Sequence, residues 1–306
     1  MSDSSHTNSF SMFANTFGYL GCPVTRDLKE ADVAVMGIPY DLGTTGRSGT
    51  RFGPQGIRRA SANLRWEEKR WPWRFNVMDR LSVVDYGDLE FPPGESESMV
   101  AIVTETAEDI MRQGKKLLSF GGDHFVTLPL LRAAHKVHGQ LAMIHFDAHT
   151  DTYVDEAKYD HGCMFYHAPK EGLISAKNTI QLGIRTEYDV EDHEFTVLDA
   201  ATVNDMSAEA VVKKIHDVVG DLPVYLTFDI DGLDPAYAPG TGTPVVGGLT
   251  TDRALKIVRG LIGLNIVAMD LVEVAPCYDH ADITALAGAT LGLEFLYVLA
   301  SKPGDL

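Results

Sequence analysis

A chain of 306 residues, 45% apolar and 23% charged, has the composition of a soluble globular protein with room for one large domain or two ordinary ones. Its formal charge of −17 offers no basic stripe to nucleic acid, and no run approaches the ~20 apolar residues of a membrane span. Three cysteines without CxxC spacing form no disulfide framework, and the polar start from Met1 to Ser9 lacks the segments of a secretory leader, so the expected compartment is the cytoplasm.

Apolar runs of strand length alternate with helix-like stretches along most of the chain. After an N-terminal extension (residues 1–30), expected to pack on the domain, Val33–Ile38 and Leu81–Val84 read as strands. An amphipathic stretch, Ser96–Gln113, leads to the strand Lys116–Phe120, which runs into Gly121-Gly122-Asp123-His124. The helical pattern Val126–His138 precedes the strand Leu141–Phe146, which ends in Asp147-Ala148-His149-Thr150-Asp151. Ile180–Ile184 and Val197–Leu198 read as short strands, followed by a helix from Ser207 to Val219 with Ser207 placed to cap it. Val224–Phe228 then runs into Asp229-Ile230-Asp231-Gly232-Leu233-Asp234-Pro235. A helix over Asp252–Leu261, started by Thr251-Asp252, a strand over Ile266–Leu271 and a helix over Ile283–Leu299 complete the pattern. Strands apolar nearly throughout, separated by amphipathic helices, imply an α/β fold with a parallel sheet covered on both faces. No composition shift marks a boundary, so residues 1–306 read as one domain.

In such sheets ligands bind outside the carboxyl ends of the strands, where the three acid-rich segments and Glu273 all fall. Buried strands do not normally end in bare carboxylates, because desolvating several acids together costs many kcal/mol unless cations neutralise them. Alternation in Asp147-Ala148-His149-Thr150-Asp151 aims three ligands to one side, and Asp229 and Asp231 repeat it. Carboxylates with imidazoles and no thiolate lean towards manganese, though iron, cobalt and zinc also accept such donors. Two ions ~3.5–4 Å apart would generate hydroxide near neutral pH. Four aspartates, two divalent ions and one hydroxide leave a slightly negative cluster, better suited to a cationic electrophile than to a phosphate. Asp234 reads as a turn residue before Pro235, Asp123 as an orienting or capping acid, and His145 as a packed core histidine.

Taken together, these segments resemble the three signatures of the ureohydrolases, the arginase and agmatinase family. The resemblance covers nearly the whole chain, including Gly46–Pro54 and Pro239–Pro244. In Tyr159–Tyr166 and Ala168–Gly172 it is most similar to the family's bacterial agmatine-hydrolysing branch. It implies a three-layer α/β/α fold around a mainly parallel, arginase-like sheet of about eight strands. It also implies two manganese ions and hydrolysis of a guanidine to urea and an amine. By resemblance, His124, Asp147, Asp151 and Asp229 hold one ion and His149, Asp147, Asp229 and Asp231 the other, with Asp147 and Asp229 bridging. Glu273 matches the glutamate that holds the guanidinium, an assignment that suits a bidentate carboxylate fork. His161 matches the family's proton shuttle, with Asp151 the alternative proton donor; Tyr153 and Thr243 are expected to face substrate.

Arginases read an α-carboxylate with polar residues just beyond the Asp-Ala-His-Thr-Asp segment. Here that stretch is Tyr153-Val154-Asp155-Glu156-Ala157, which would repel an acid and welcome a second cation. The expected substrate is therefore agmatine, a small cationic guanidine, giving putrescine and urea for polyamine synthesis. The alternatives are a guanidino-acid hydrolase such as a guanidinobutyrase and a catalytically silent binding relative. The family implies a homo-oligomer, trimer or hexamer, with neither nucleic-acid nor membrane partners.

Overall fold

The computed structural model describes residues 17–154, 158–302 and 304–306. The expected N-terminal extension is thus described only from Phe17 onwards, and Asp155 and Glu156, the loop acids singled out above, lie outside the described residues. Where the description begins, Tyr19 is buried and donates its hydroxyl to the Ala289 carbonyl at 2.7 Å.

Eight strands form one sheet: β1 (Val33–Ile38), β2 (Val83–Asp88), β3 (Lys116–Gly121), β4 (Leu141–Phe146), β5 (Ile174–Ile184), β6 (Thr196–Asp199), β7 (Val224–Asp229) and β8 (Ile266–Val272). Their order is β2-β1-β3-β8-β7-β4-β5-β6, and every pairing is parallel. β1, β4, β7 and β8 are buried along their whole length, as expected of strands covered on both faces. One covering layer holds α1 (Gly53–Ser61), α6 (Ala208–Val219), α7 (Thr251–Arg259) and α8 (Ile283–Ala300). The other holds α2 (Ser96–Arg112), α3 (Thr127–His138) and α4 (Met164–Lys170), while α5 (Ala200–Asp205) follows β6. Each layer closes its own apolar core, built from alternate residues of the strands.

The topology brings together what the sequence separates. β7 and β8, formed late in the chain, insert between β3 and β4. Phe120, Leu271, Phe228 and Phe146 pair as one row across these four strands. The chain leaves the sheet just beyond that row, so His124, Glu273, Asp229, Asp231 and Asp147 emerge side by side.

Several boundaries differ from the sequence reading. β2 starts two residues late and runs on to Asp88, because its buried acid Asp85 is neutralised by Arg58 at 2.7 Å. β5 begins at Ile174, through Lys177 and Asn178, whose polarity hid it. The cap of α7 is Thr250, which accepts from the Arg253 N–H at 3.0 Å, and not Thr251. Ser207 caps α6 by accepting from the Ala210 N–H. The short helices α4 and α5 carry too few turns to show a periodicity, and α1, opening on Gly53-Pro54, is absent from the sequence reading as well.

By length and a mean hydropathy of 1.7, α8 could cross a membrane, but 78% of it is buried inside this molecule. Its one acid, Glu294, is buried, accepting from Trp73 Nε1 at 2.7 Å and from two Arg259 nitrogens at 2.6 and 3.0 Å. Removing the cation from such a pair strands a buried charge. Arg259→Ala should therefore lower unfolding stability by ~3 kcal/mol in a denaturant melt; a loss below ~0.5 kcal/mol would show the pair to be dispensable.

Candidate metal centre

The segment after β3 sets the first wall. A side chain at Gly122 would place its Cβ 1.5 Å from the Tyr40 carbonyl oxygen, so only glycine lets the chain turn here. Asp123 is buried and caps the next turn, accepting from Phe125 N–H at 3.1 Å and Gly43 N–H at 2.7 Å. It therefore serves the backbone, and neither group of candidate metal ligands includes it. Next to it, His124 directs Nε2 to the Thr227 hydroxyl at 2.8 Å. That hydroxyl donates to Asp270 at 2.6 Å, so it accepts from His124, which fixes the ring with a lone pair on Nδ1.

Nδ1 of His124 has no hydrogen-bond partner among the described residues, yet three carboxylate oxygens converge on it. They are Oδ2 of Asp147 at 3.1 Å, of Asp151 at 2.9 Å and of Asp229 at 3.3 Å. Donors held ~2.1 Å from one ion stand ~3.0–3.4 Å apart, the spacing found here. On the other side, Nδ1 of His149 lies 3.3 Å from Oδ1 of Asp147 and 3.2 Å from Oδ2 of Asp231. Asp147 thus divides its two oxygens between the two groups, as a bridging ligand must. Asp229 turns Oδ2 to the first group, while its Oδ1 accepts from the Asp231 N–H at 2.8 Å.

The electrostatics demand positive charge. Burial, then repulsion from neighbouring carboxylates, pushes Asp151, Asp229 and Asp231 above the ordinary range. Burial would raise Asp147 too, but the imidazoles of His145, His124 and His149 hold it well below. The imidazole of His149 is itself driven up to about 12, burial being outweighed by Asp147 and Asp231. A divalent cation satisfies the same acids and frees the rings as neutral ligands. Orphaned Nδ1, converging oxygens and borderline-to-hard donors together fit a paired-cation site.

His145 also lies within reach of the first group. Both its nitrogens are already used: Nε2 bonds Asp147 Oδ2 at 2.7 Å and Nδ1 bonds the Gln181 amide at 2.9 Å. It orients a ligand as a hydrogen-bonded core residue.

Glu273 and Asp151 both adopt left-handed backbone, with φ of 64° and 52°, a conformation that costs L-residues free energy and clusters at functional sites. Glu273 is fully buried: Oε1 accepts from the His124 N–H at 3.0 Å and from His161 Nδ1 at 2.7 Å. Its Oε2 is unpartnered among the described residues and faces Gly242, whose added Cβ would come within 3.4 Å. Burial opposes charge on His161, but the Glu273 carboxylate outweighs it and raises the ring to about 9. The Thr45 N–H, 3.0 Å from Nε2, acts the other way, since a donor there requires a lone pair. The Glu273 contact keeps a proton on Nδ1 and favours the charged ring near neutral pH, whereas the Thr45 contact withholds one from Nε2, so the charged form requires release of that bond.

Around these groups lies a cavity of about 270 Å³ lined by Thr45, His149, Asp151, Tyr153, Asp160, His161, Gly162, Asp229 and Thr243. Thr243 donates to Asp231 Oδ2 at 3.2 Å, and the Tyr153 ring forms a wall while its hydroxyl bonds Thr186 and Glu187. Arg47 and Arg51 shape the nearby loops, the first bound to the Thr241 carbonyl and the second to Asp41. A larger cleft of about 810 Å³ beside α1 contains the locked pairs of Arg58 with Asp85 and Asp88 and none of this chemistry.

Sequence reasoning missed the residues that hold the imidazole–carboxylate cluster in place. Asp270, buried inside β8, accepts from Thr127, Thr227 and Tyr225. Its signal was an acid within an apolar strand run. Arg185 bonds the Asp231, Leu233 and Val245 carbonyls and so fixes the loop after β7, for which the sequence carries no local cue.

An all-parallel α/β/α sheet with a buried imidazole–carboxylate cluster at its strand ends defines a binuclear-metal enzyme of the arginase fold. The chain belongs to the arginase family, whose sequence model matches residues 31–297. It is 58% identical over 304 residues to an agmatinase of Serratia proteamaculans (strain 568), covering 99% of each chain. A solved structure of a hypothetical agmatinase from Burkholderia thailandensis superposes with a TM-score of 0.92 at 46% identity, over 95% of this chain and 92% of that one. The proclavaminate amidino hydrolase of Streptomyces clavuligerus superposes at 0.88 with 35% identity, over 92% and 96%.

Chelation should lower the melting temperature by ~5–10 °C, restored by adding back divalent metal, if ions bind the folded chain at ~100 Kd. Asp147→Asn, which weakens both groups at once, should lose most bound metal by elemental analysis; full metal content in that variant would contradict the bridging geometry.

Proposed function

We propose that this chain hydrolyses agmatine to putrescine and urea, using two manganese ions held by His124, Asp147, Asp151, Asp229, His149 and Asp231. The observation that carries the reading is the buried Oε2 of Glu273, which lies beside the paired-cation cluster and has no hydrogen-bond partner among the described residues. A buried carboxylate oxygen without a donor is costly, and a guanidinium supplies the missing N–H. The agmatinase names of full-length relatives support the same choice of substrate.

Glu273 holds the planar cation, and the His124 N–H and His161 Nδ1–H keep its other oxygen in place. When bound, the metals supply an activated water and fixed positive charge opposite the developing negative charge. Thr243 steadies Asp231, and the Tyr153 ring screens the cavity from one side. The departing amine takes its proton from Asp151, or from His161 once the Thr45 contact has yielded and Nε2 has taken up a proton from solvent. In the same reading, residues 1–306 act as one domain within a cytoplasmic homo-oligomer, trimer or hexamer, that supplies polyamine synthesis.

A urea-release assay with manganese on agmatine, arginine and 4-guanidinobutyrate tests the reading. Agmatine should dominate; preferred turnover of either acid-bearing guanidine would overturn it. Glu273→Gln should lower kcat/KM for agmatine by about 10²-fold or more, because a neutral amide cannot pair with the guanidinium in the same way. A loss below ~3-fold would remove Glu273 from the site.

A further inference from the structure

We propose that Asp160 receives the distal cation of the substrate and sets the preference for a diamine-like guanidine over a guanidino acid. This rests on the guanidine-hydrolase reading and names the group that selects among its substrates. Of the cavity's lining acids, Asp151 and Asp229 belong to the metal cluster. Asp160 is the remaining one, half-buried and without a Lys or Arg partner among the described residues.

Among the described residues no Lys or Arg lines the cavity to receive a substrate carboxylate. Lys158, two residues away, turns outward to Glu97 at 3.4 Å and lies over the Tyr159 ring. Arg47 is bound to the Thr241 carbonyl and rests on the Tyr278 ring at 4.2 Å. An acid-tailed guanidine would therefore bring its charge beside the Asp160 carboxylate with no Lys or Arg among the described residues to pair it, while an ammonium finds its counter-ion there.

The local backbone holds Asp160 for this role. Its Oδ1 accepts from the Gly162 N–H at 2.6 Å, fixing the carboxylate across the turn that carries His161. A Cβ at Gly162 would lie 3.2 Å from that oxygen and 3.1 Å from the Tyr153 ring. Glycine thus lets an aromatic edge and a carboxylate share one side of the cavity, a pairing that suits an alkyl chain ending in ammonium.

The test compares the manganese-loaded enzyme and its Asp160→Asn variant on agmatine and on 1-butylguanidine, the same chain without the amine. Asparagine keeps an acceptor for the Gly162 N–H. The agmatine KM should rise by about tenfold, and the kcat/KM ratio of agmatine to butylguanidine should fall by a similar factor. An equal loss on both substrates would overturn the proposal and make Asp160 a support for His161; an unchanged ratio would overturn it as well. A second measurement needs no variant: raising salt from ~50 mM to ~0.5 M should raise the wild-type KM for agmatine more than that for butylguanidine. Equal salt responses would count against Asp160. If the wild type released urea from neither compound, the hydrolase reading itself would fail, a result distinct from turnover with an unaltered ratio.

Discussion

Crowding carboxylates into a buried site raises their free energy, and only positive charge lowers it again. Asp147, Asp151, Asp229 and Asp231 are buried with their oxygens turned towards two imidazole nitrogens, and three of the four are pushed towards protonation by burial and then by their carboxylate neighbours. A paired-cation site turns that repulsion into binding energy. The rest of the architecture is arranged so that the acids cannot relax away from one another.

Three devices enforce this. The strand order places β8 and β7 between β3 and β4, so residues 149 positions apart in sequence, His124 and Glu273, share a hydrogen bond. Hydroxyl and amide side chains inside the sheet then lock the cluster: Asp270 through Thr227 to His124, and Gln181 through His145 to Asp147. Left-handed backbone at Asp151 and Glu273 spends local stability on aim, with the cost carried by the apolar layers on both faces. The same frame carries Asp160 and His161 on one turn at the edge of the cavity.

Much of this was legible because the chemistry is local. Each acid-rich segment directly follows a strand, so the eye meets an apolar run and then its ligands. The all-parallel sheet followed from strands such as Ile266–Leu271, which carry almost no polar face. Segments whose stability comes from distant partners were harder to read. β5 looked short because Lys177 and Asn178 interrupt it, and β2 was displaced because Asp85 depends on Arg58. Gln181 and Arg185 were invisible as site residues for the same reason, and Asp270 showed only as an acid within an apolar run, because their partners lie on other strands and loops.

The central claim, two cations shared through Asp147, is tested most directly by anomalous diffraction at the manganese edge from crystals of the metal-loaded protein. Two peaks ~3.5–4 Å apart should appear, one beside Nδ1 of His124 and the other beside Nδ1 of His149, with Asp147 between them. A single peak, or a peak ligated by His145, would contradict the account.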